Sequence, residues 1–164
     1  MIFVTLGSQK FQFDRLLTVM DQIAKSGTEH EIFAQTGAST YVPAHFAHKA
    51  FLDADEYAAA MQRADIVITH GGTGAIIGAV KRGKKVIAVP RLAKYGEHVD
   101  DHQLQIIRSF DELGLILPCE DSALLPQKLQ EIEHMTFRAY QSNTQTIVNS
   151  IDAYIMEQMA EDVR

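Results

Sequence analysis

The residues with most chemical content lie in one stretch, Ala64-Asp65-Ile66-Val67-Ile68-Thr69-His70-Gly71-Gly72-Thr73-Gly74-Ala75. An apolar, β-branched run passes into a glycine-rich turn, and the residues after it read as a helix. Ligands of open α/β sheets bind at the carboxyl ends of such strands. Gly71, Gly72 and Gly74 let backbone N–H groups come close to an anion, and the next helix turns its positive end to the same place. Thr73 adds a hydroxyl donor and His70 sits at the strand exit. The chemistry on offer is binding of a phosphate or diphosphate. A tight strand–helix turn that needs glycine for steric reasons is the alternative. No Gly-Lys-Ser/Thr follows, so the turn is not a P-loop. A second small-residue loop, Gly7-Ser8 within Thr5-Leu6-Gly7-Ser8-Gln9, also follows a strand. It lacks the three-glycine pattern of an NAD site, which argues against a dehydrogenase.

A third segment, Pro90 to Gln103, is polar and follows a buried-type strand. Its carboxylates, amide and imidazoles offer the paired donors and acceptors that sugar hydroxyls need. His98 and His102 stand four apart and share a face if both are helical, a spacing that suits a metal. Two further ligands are not evident, and we expect no metal. An ordinary helix start capped by Asp100 or Asp101 accounts for the same residues and is compatible with sugar binding. His30, His45, His48 and His134 have no partner pattern and read as loop or surface residues. No Gly-x-Ser-x-Gly elbow and no Cys/His pair mark a covalent nucleophile.

The elements that must position these residues alternate, strand-like and helix-like, through 164 residues, enough for one ordinary domain. Strands are expected at Ile2–Leu6, Glu31–Gln35, Lys49–Leu52, Ile66–Thr69, Val86–Val89 and Leu115–Leu117. Helices are expected from Asp14 to Lys25, Asp55 to Arg63 with Asp53 or Asp55 as cap, Ala75 to Arg82, Asp100 to Leu113, and from Ser122 to about Glu133. A final helix is expected from about 137 to 162, with Ile147, Val148, Ile151, Ile155 and Met159 as an apolar stripe. That stripe either packs on the sheet or docks on a partner. The pattern as a whole predicts a parallel, Rossmann-like α/β sheet flanked by helices.

Composition narrows the function classes. A formal net charge of −6 argues against a broad basic surface for nucleic acid. The run Lys81-Arg82-Gly83-Lys84-Lys85 reads as a solvated helix end. Cys119 is the lone cysteine, so no internal disulfide forms and a reducing cytosol is the natural compartment. No apolar run is long enough to span a membrane. Met1-Ile2-Phe3-Val4-Thr5-Leu6 reads as a strand rather than a signal peptide.

Taken in order, the strand with Gly7-Ser8, the stretch Ala64–Gly74, Gly83-Lys84-Lys85-Val86-Ile87-Ala88-Val89-Pro90 and Asp101-His102-Gln103-Leu104-Gln105 resemble the C-terminal domain of family 28 glycosyltransferases. The resemblance is strongest to the free-standing small subunits of two-component GT-B enzymes. These include the UDP-N-acetylglucosamine transferase subunit of lipid-linked oligosaccharide synthesis and bacterial exopolysaccharide or capsule subunits. It implies the C-terminal half of a GT-B fold and a UDP-sugar substrate, with no cofactor and no metal. The diphosphate would lie on Gly7, Ser8, His70, Gly71, Gly72 and Thr73, the base near Phe51 and Leu52, and the sugar near Glu97, Asp101, His102 and Gln103. A membrane-associated glycosyltransferase subunit would supply the acceptor half and recruit this chain to the inner face of the membrane. Docking would involve Ile151 and Ile155. The implied activity is hexose transfer to a lipid-linked acceptor in polysaccharide biosynthesis. The general base would come from the other half. One departure stands out: Gly78 occupies the place where relatives carry an acidic residue for the ribose hydroxyls. It leaves a second reading open, a non-catalytic stimulatory subunit of a partner glycosyltransferase.

Overall fold

In the computed structural model the described residues are 1–162 for the backbone and 1–158 for the side chains. Six parallel strands form a single sheet: β1 (Ile2–Thr5), β2 (Ile32–Gln35), β3 (Ala47–Lys49), β4 (Ile66–His70), β5 (Lys85–Val89) and β6 (Leu117–Pro118). Their spatial order is β3-β2-β1-β4-β5-β6. The chain therefore builds outward from β1 in one direction, returns beside it with β4, and builds outward in the other. The β1/β4 junction, with Thr5 paired to Thr69, is the switch point of the sheet.

Strand alternation divides the core into two layers. Ile2, Val4, Ile66, Ile68, Ile87 and Val89 face α1 (Asp14–Ser26) and α5 (Leu125–His134), where Leu16, Leu17, Met20, Leu125 and Ile132 meet them. Phe3, Val67, Val86 and Ala88 face α2 (Ala54–Arg63), α3 (Thr73–Val80) and α4 (His102–Glu112), through Met61, Ile76, Ala79 and Ile107. Burial on both faces explains why β1, β4 and β5 read as continuous apolar runs.

Helix α2 starts with a full capping box. The Asp53 side chain accepts from the Glu56 amide and the Glu56 side chain accepts from the Asp53 amide. The Lys84 ammonium donates to the Gln62 carbonyl, and that of Lys85 to the carbonyls of Ile132 and Glu133. Part of the expected solvated basic run thus satisfies the carboxyl ends of α2 and α5 instead.

Several boundaries differ from expectation. The third strand is Ala47–Lys49, three exposed residues with no alternation to reveal them. The fourth helix starts at His102, so His98 lies in a loop rather than on its face. The last strand is Leu117–Pro118, since Leu115 and Ile116 are buried before the ladder begins. Residues 137–143 are not helical, and the final helix α6 spans Thr144–Asp162. Phe137 packs on the core instead, and the Arg138 amide donates to the Gly114 carbonyl. From Thr144 to Gln158 every residue of α6 is exposed, so this helix does not pack its stripe on the sheet. Met159, expected in the stripe, lies outside the described side chains.

Candidate functional site

A cavity of about 750 Å³ opens at the carboxyl ends of β1 and β4, over the switch point. Gly7 and Ser8 line it from the β1–α1 loop, and Gly72 and Thr73 from the β4–α3 turn. Leu52 and Tyr57 form one side, and His98, His102 and Gln103 the other. Most of the residues expected to act together are therefore brought to one place.

The turn is built on His70. The Thr69 hydroxyl donates to the Thr5 carbonyl at 3.0 Å, tying the ends of β1 and β4 together. Beneath the two loops the His70 ring fills the space that side chains would need. A Cβ on Gly7 would come within 2.7 Å of its Cε1, and one on Gly72 would run into Nε2. Gly7 also has φ +75°, which disfavours any residue with a Cβ. Gly71 faces the other way, where a Cβ would meet the Gln103 Cβ at 2.7 Å. Its amide donates to Gln103 Oε1, as does the Arg91 amide. Burial, and next the Arg91 charge, hold the His70 imidazole down to about 4, against an opposing hydrogen bond with the Thr5 backbone. The ring is neutral at neutral pH. It can offer one N–H but no charge to an anion.

Helix α3 begins at Thr73 with no side-chain cap, and its first turn carries no acid. Thr73, Gly74 and Ala75 line the cavity, so the amides of this turn are presented to whatever fills it, while the Gly72 amide donates to the His70 carbonyl at 2.7 Å. The contrast with the self-capped α2 is direct.

Behind this surface lies a buried ionic frame. Arg15 grips Glu97 with both arms, Nε to Oε1 at 2.9 Å and Nη2 to Oε2 at 2.8 Å, and Nη2 also reaches the Pro90 carbonyl. The Leu92 amide donates to the same carboxylate. Arg91, fully buried, donates to the carbonyls of Leu6 and Phe11 and packs over the Phe13 ring. Burial lowers its guanidinium to about 10, opposed by Glu97, so it stays charged. The frame fixes the β1–α1 loop against the loop after β5.

This arrangement corrects part of the expected sugar set. Glu97 is fully buried, with both oxygens taken by Arg15, and does not line the cavity. Asp101 is exposed and holds the Ala93 amide through Oδ1 at 2.7 Å, outside the cavity lining. His102 and Gln103 do line it, although Gln103 Oε1 already serves two amides. Of the expected base pair, Leu52 lines the cavity, while Phe51 points elsewhere and is 49% exposed. Among the lining residues not anticipated are Gln35, Tyr57 and Arg82. Tyr57 follows Asp53 by one helical turn, a spacing that places it beside the cap. Arg82 follows Gly78 by one turn, folds over it, and donates from Nη1 to its carbonyl at 2.7 Å.

The sheet order, the switch-point cavity and the glycine turn define a Rossmann-like domain with the architecture of GT-B glycosyltransferase C-terminal domains. The chain belongs to the family described as "Glycosyltransferase family 28 C-terminal domain", whose model matches residues 1–159. It is similar to the human UDP-N-acetylglucosamine transferase subunit ALG13, 27% identical over 128 residues, 72% of this chain and 11% of that protein. The Candida glabrata protein of the same name is 34% identical over 83 residues, 50% of this chain and 40% of that protein. The chain thus spans well under half of the curated relatives it matches. Among solved structures it resembles a kitacinnamycin glycotransferase, with TM-score 0.63 and 16% identity, over 82% of this chain and 35% of the other. It also resembles the NMR solution structure of ALG13, with TM-score 0.56 and 16% identity, over 86% of this chain and 89% of the other. These structural likenesses carry the fold. No helix among the described residues is long and apolar enough to cross a membrane.

Proposed function

We propose that this chain is the UDP-sugar-binding subunit of a two-component glycosyltransferase that moves a hexose to a lipid-linked acceptor in polysaccharide biosynthesis. The observation that carries the reading is the uncapped N-terminus of α3, with its glycine turn, opening onto the switch-point cavity. A diphosphate placed there receives the amides of Thr73, Gly74 and Ala75 and the positive end of the helix dipole. Gly7 and Ser8 close on it from the opposite loop. The uracil lies toward Leu52 and Tyr57, and the sugar toward His102 and Gln103. As the glycosidic bond to the leaving UDP breaks, negative charge grows on the β-phosphate, where fixed amide dipoles stabilise it without reorganisation. No cofactor takes part in this scheme. The general base and the acceptor belong to a membrane-associated partner, which recruits this chain to the inner face of the membrane. The exposed Ile147, Ile151 and Ile155 of α6 supply the apolar contact.

Gly78 favours a second reading. It offers no carboxylate for ribose hydroxyls, and the side chain over it is the cation Arg82. A subunit that stimulates a catalytic partner without recognising the donor fits that observation.

Calorimetric titration with UDP and a panel of UDP-sugars decides between them. On the first reading UDP binds, the best UDP-sugar names the donor, and Thr73→Asp weakens binding by roughly tenfold or more through charge repulsion at close range. Thr73 is exposed, so this change avoids the clash with His70 that any side chain at Gly72 would create. Absence of UDP binding, both alone and with the partner present, would leave only the stimulatory reading.

A further inference from the structure

We propose that His98, Asp100 and His102 form a binding site for a divalent transition-metal ion, with zinc the natural occupant, on the wall of the cavity. The inference goes beyond the nucleotide-sugar reading and does not depend on it. One ligand atom from each of the three residues falls within 4.8 Å of the others. His98 Nδ1 lies 3.4 Å from Asp100 Oδ1, and His102 Nδ1 is in contact with the same oxygen. Tetrahedral zinc with bonds of about 2 Å sets its ligand atoms about 3.3 Å apart. Two imidazoles and one carboxylate suit zinc, cobalt or nickel, and not magnesium, which prefers an all-oxygen octahedron.

A second observation is independent of this clustering. The His98 side chain is only 9% exposed, and its buried Nδ1 has no hydrogen-bond partner, because the nearby Asp100 oxygen is not aligned to receive one. Buried ring nitrogens are nearly always satisfied, and an orphan facing a carboxylate and a second imidazole is explained by an ion between them. His98 is held in place between the Phe11 ring, 4.8 Å away, and the His102 ring, 4.7 Å away. The backbone on either side is fixed, by Arg15 on Glu97 before it and by Asp101 on the Ala93 amide after it. Asp100 and His102 are 57% and 45% exposed, so they can adjust to an ion and an entry path exists. His98 and His102 both line the cavity, so a fourth coordination position faces it and takes a water or an anionic oxygen.

The test uses the purified full chain stripped with a chelator and titrated with Zn2+ alone, then with Co2+ as a spectroscopic probe. One equivalent should bind, with Co2+ developing the visible absorption of a low-coordinate nitrogen site. Asp100→Asn and His102→Ala, both at exposed positions, should each weaken binding by at least roughly tenfold. His30→Ala, at the His30–Glu133 pair elsewhere, should leave it unchanged. Failure to bind one equivalent would overturn the proposal. So would an affinity that neither cluster variant alters while circular dichroism shows all variants folded, or Mg2+ binding as tightly as Zn2+.

Discussion

His70 is a histidine kept neutral by its surroundings, and that has a consequence for stability. Unfolded, the imidazole takes up a proton near 6.5; folded, it does so only near 4. Between those values the unfolded state binds more protons, so stability is complete above pH 6.5 and falls as pH drops toward 4. The loss reaches up to about 3 kcal/mol at the lower end. Urea denaturation at pH 7 and pH 5 should show this slope in the native protein and a shallower one in His70→Gln. Asp21 acts in a lower window. Burial works against its carboxylate, but hydrogen bonds from the Tyr41 hydroxyl and the His45 and Ala44 amides hold it down to about 2. Its contribution is present above pH 3.8 and is lost as pH falls toward 2. Glu97 belongs to the buried frame and does not line the cavity. Glu97→Ala leaves Arg15 without its carboxylate and removes a charge that favours the Arg91 guanidinium, and should cost about 3 kcal/mol or more, read by the same denaturation.

The informative contrast between elements is the one between α2 and α3. Helix α2 satisfies its own amino end with Asp53 and Glu56, whereas α3 has no side-chain cap at Gly72 and points its first amides into the cavity. Thr73→Asp should therefore raise thermal stability slightly, by about 0.3–1 kcal/mol, because an acid in the first turn complements the dipole. The same change should weaken diphosphate binding. Gain of stability with loss of ligand marks a helix end left open for function, and parallel measurement of the melting curve and UDP affinity reads both. Asp53→Ala should cost about 1 kcal/mol without that trade, since it removes a cap already in use.

For the whole molecule, the sheet and five helices form a closed two-layer core, and α6 stands apart from it. Its exposed Ile147, Val148, Ile151, Tyr154, Ile155 and Met156 contribute nothing to that core. Ile151→Asp combined with Ile155→Asp should leave the denaturation midpoint nearly unchanged, within about 0.5 kcal/mol per site. On the proposed two-component reading, the pair should also abolish association with the partner subunit, measured by co-purification or size exclusion. An unstable double variant would show instead that α6 packs on its own domain.

The strands β1, β4 and β5 were legible because parallel strands buried on both faces must be continuously apolar. The glycine turn was legible because close backbone approach leaves few residue types to choose from. Edge strand β3 was not, since three exposed residues carry no pattern. Nor was the helix break before Thr144, where Phe137 is drawn into the core by contacts distant in sequence. At the site, residue types alone singled out the carboxylates and imidazoles after β5, but not where the fold would place each. Only the tertiary structure decided that Glu97 turns inward because Arg15, 82 positions earlier, meets it there. It also decided that Arg82 folds over Gly78 beside the cavity, and that a loop rather than a helix brings His98 to Asp100 and His102. Local propensity acts over a few neighbouring residues, whereas these roles are set by which distant groups the fold places opposite one another.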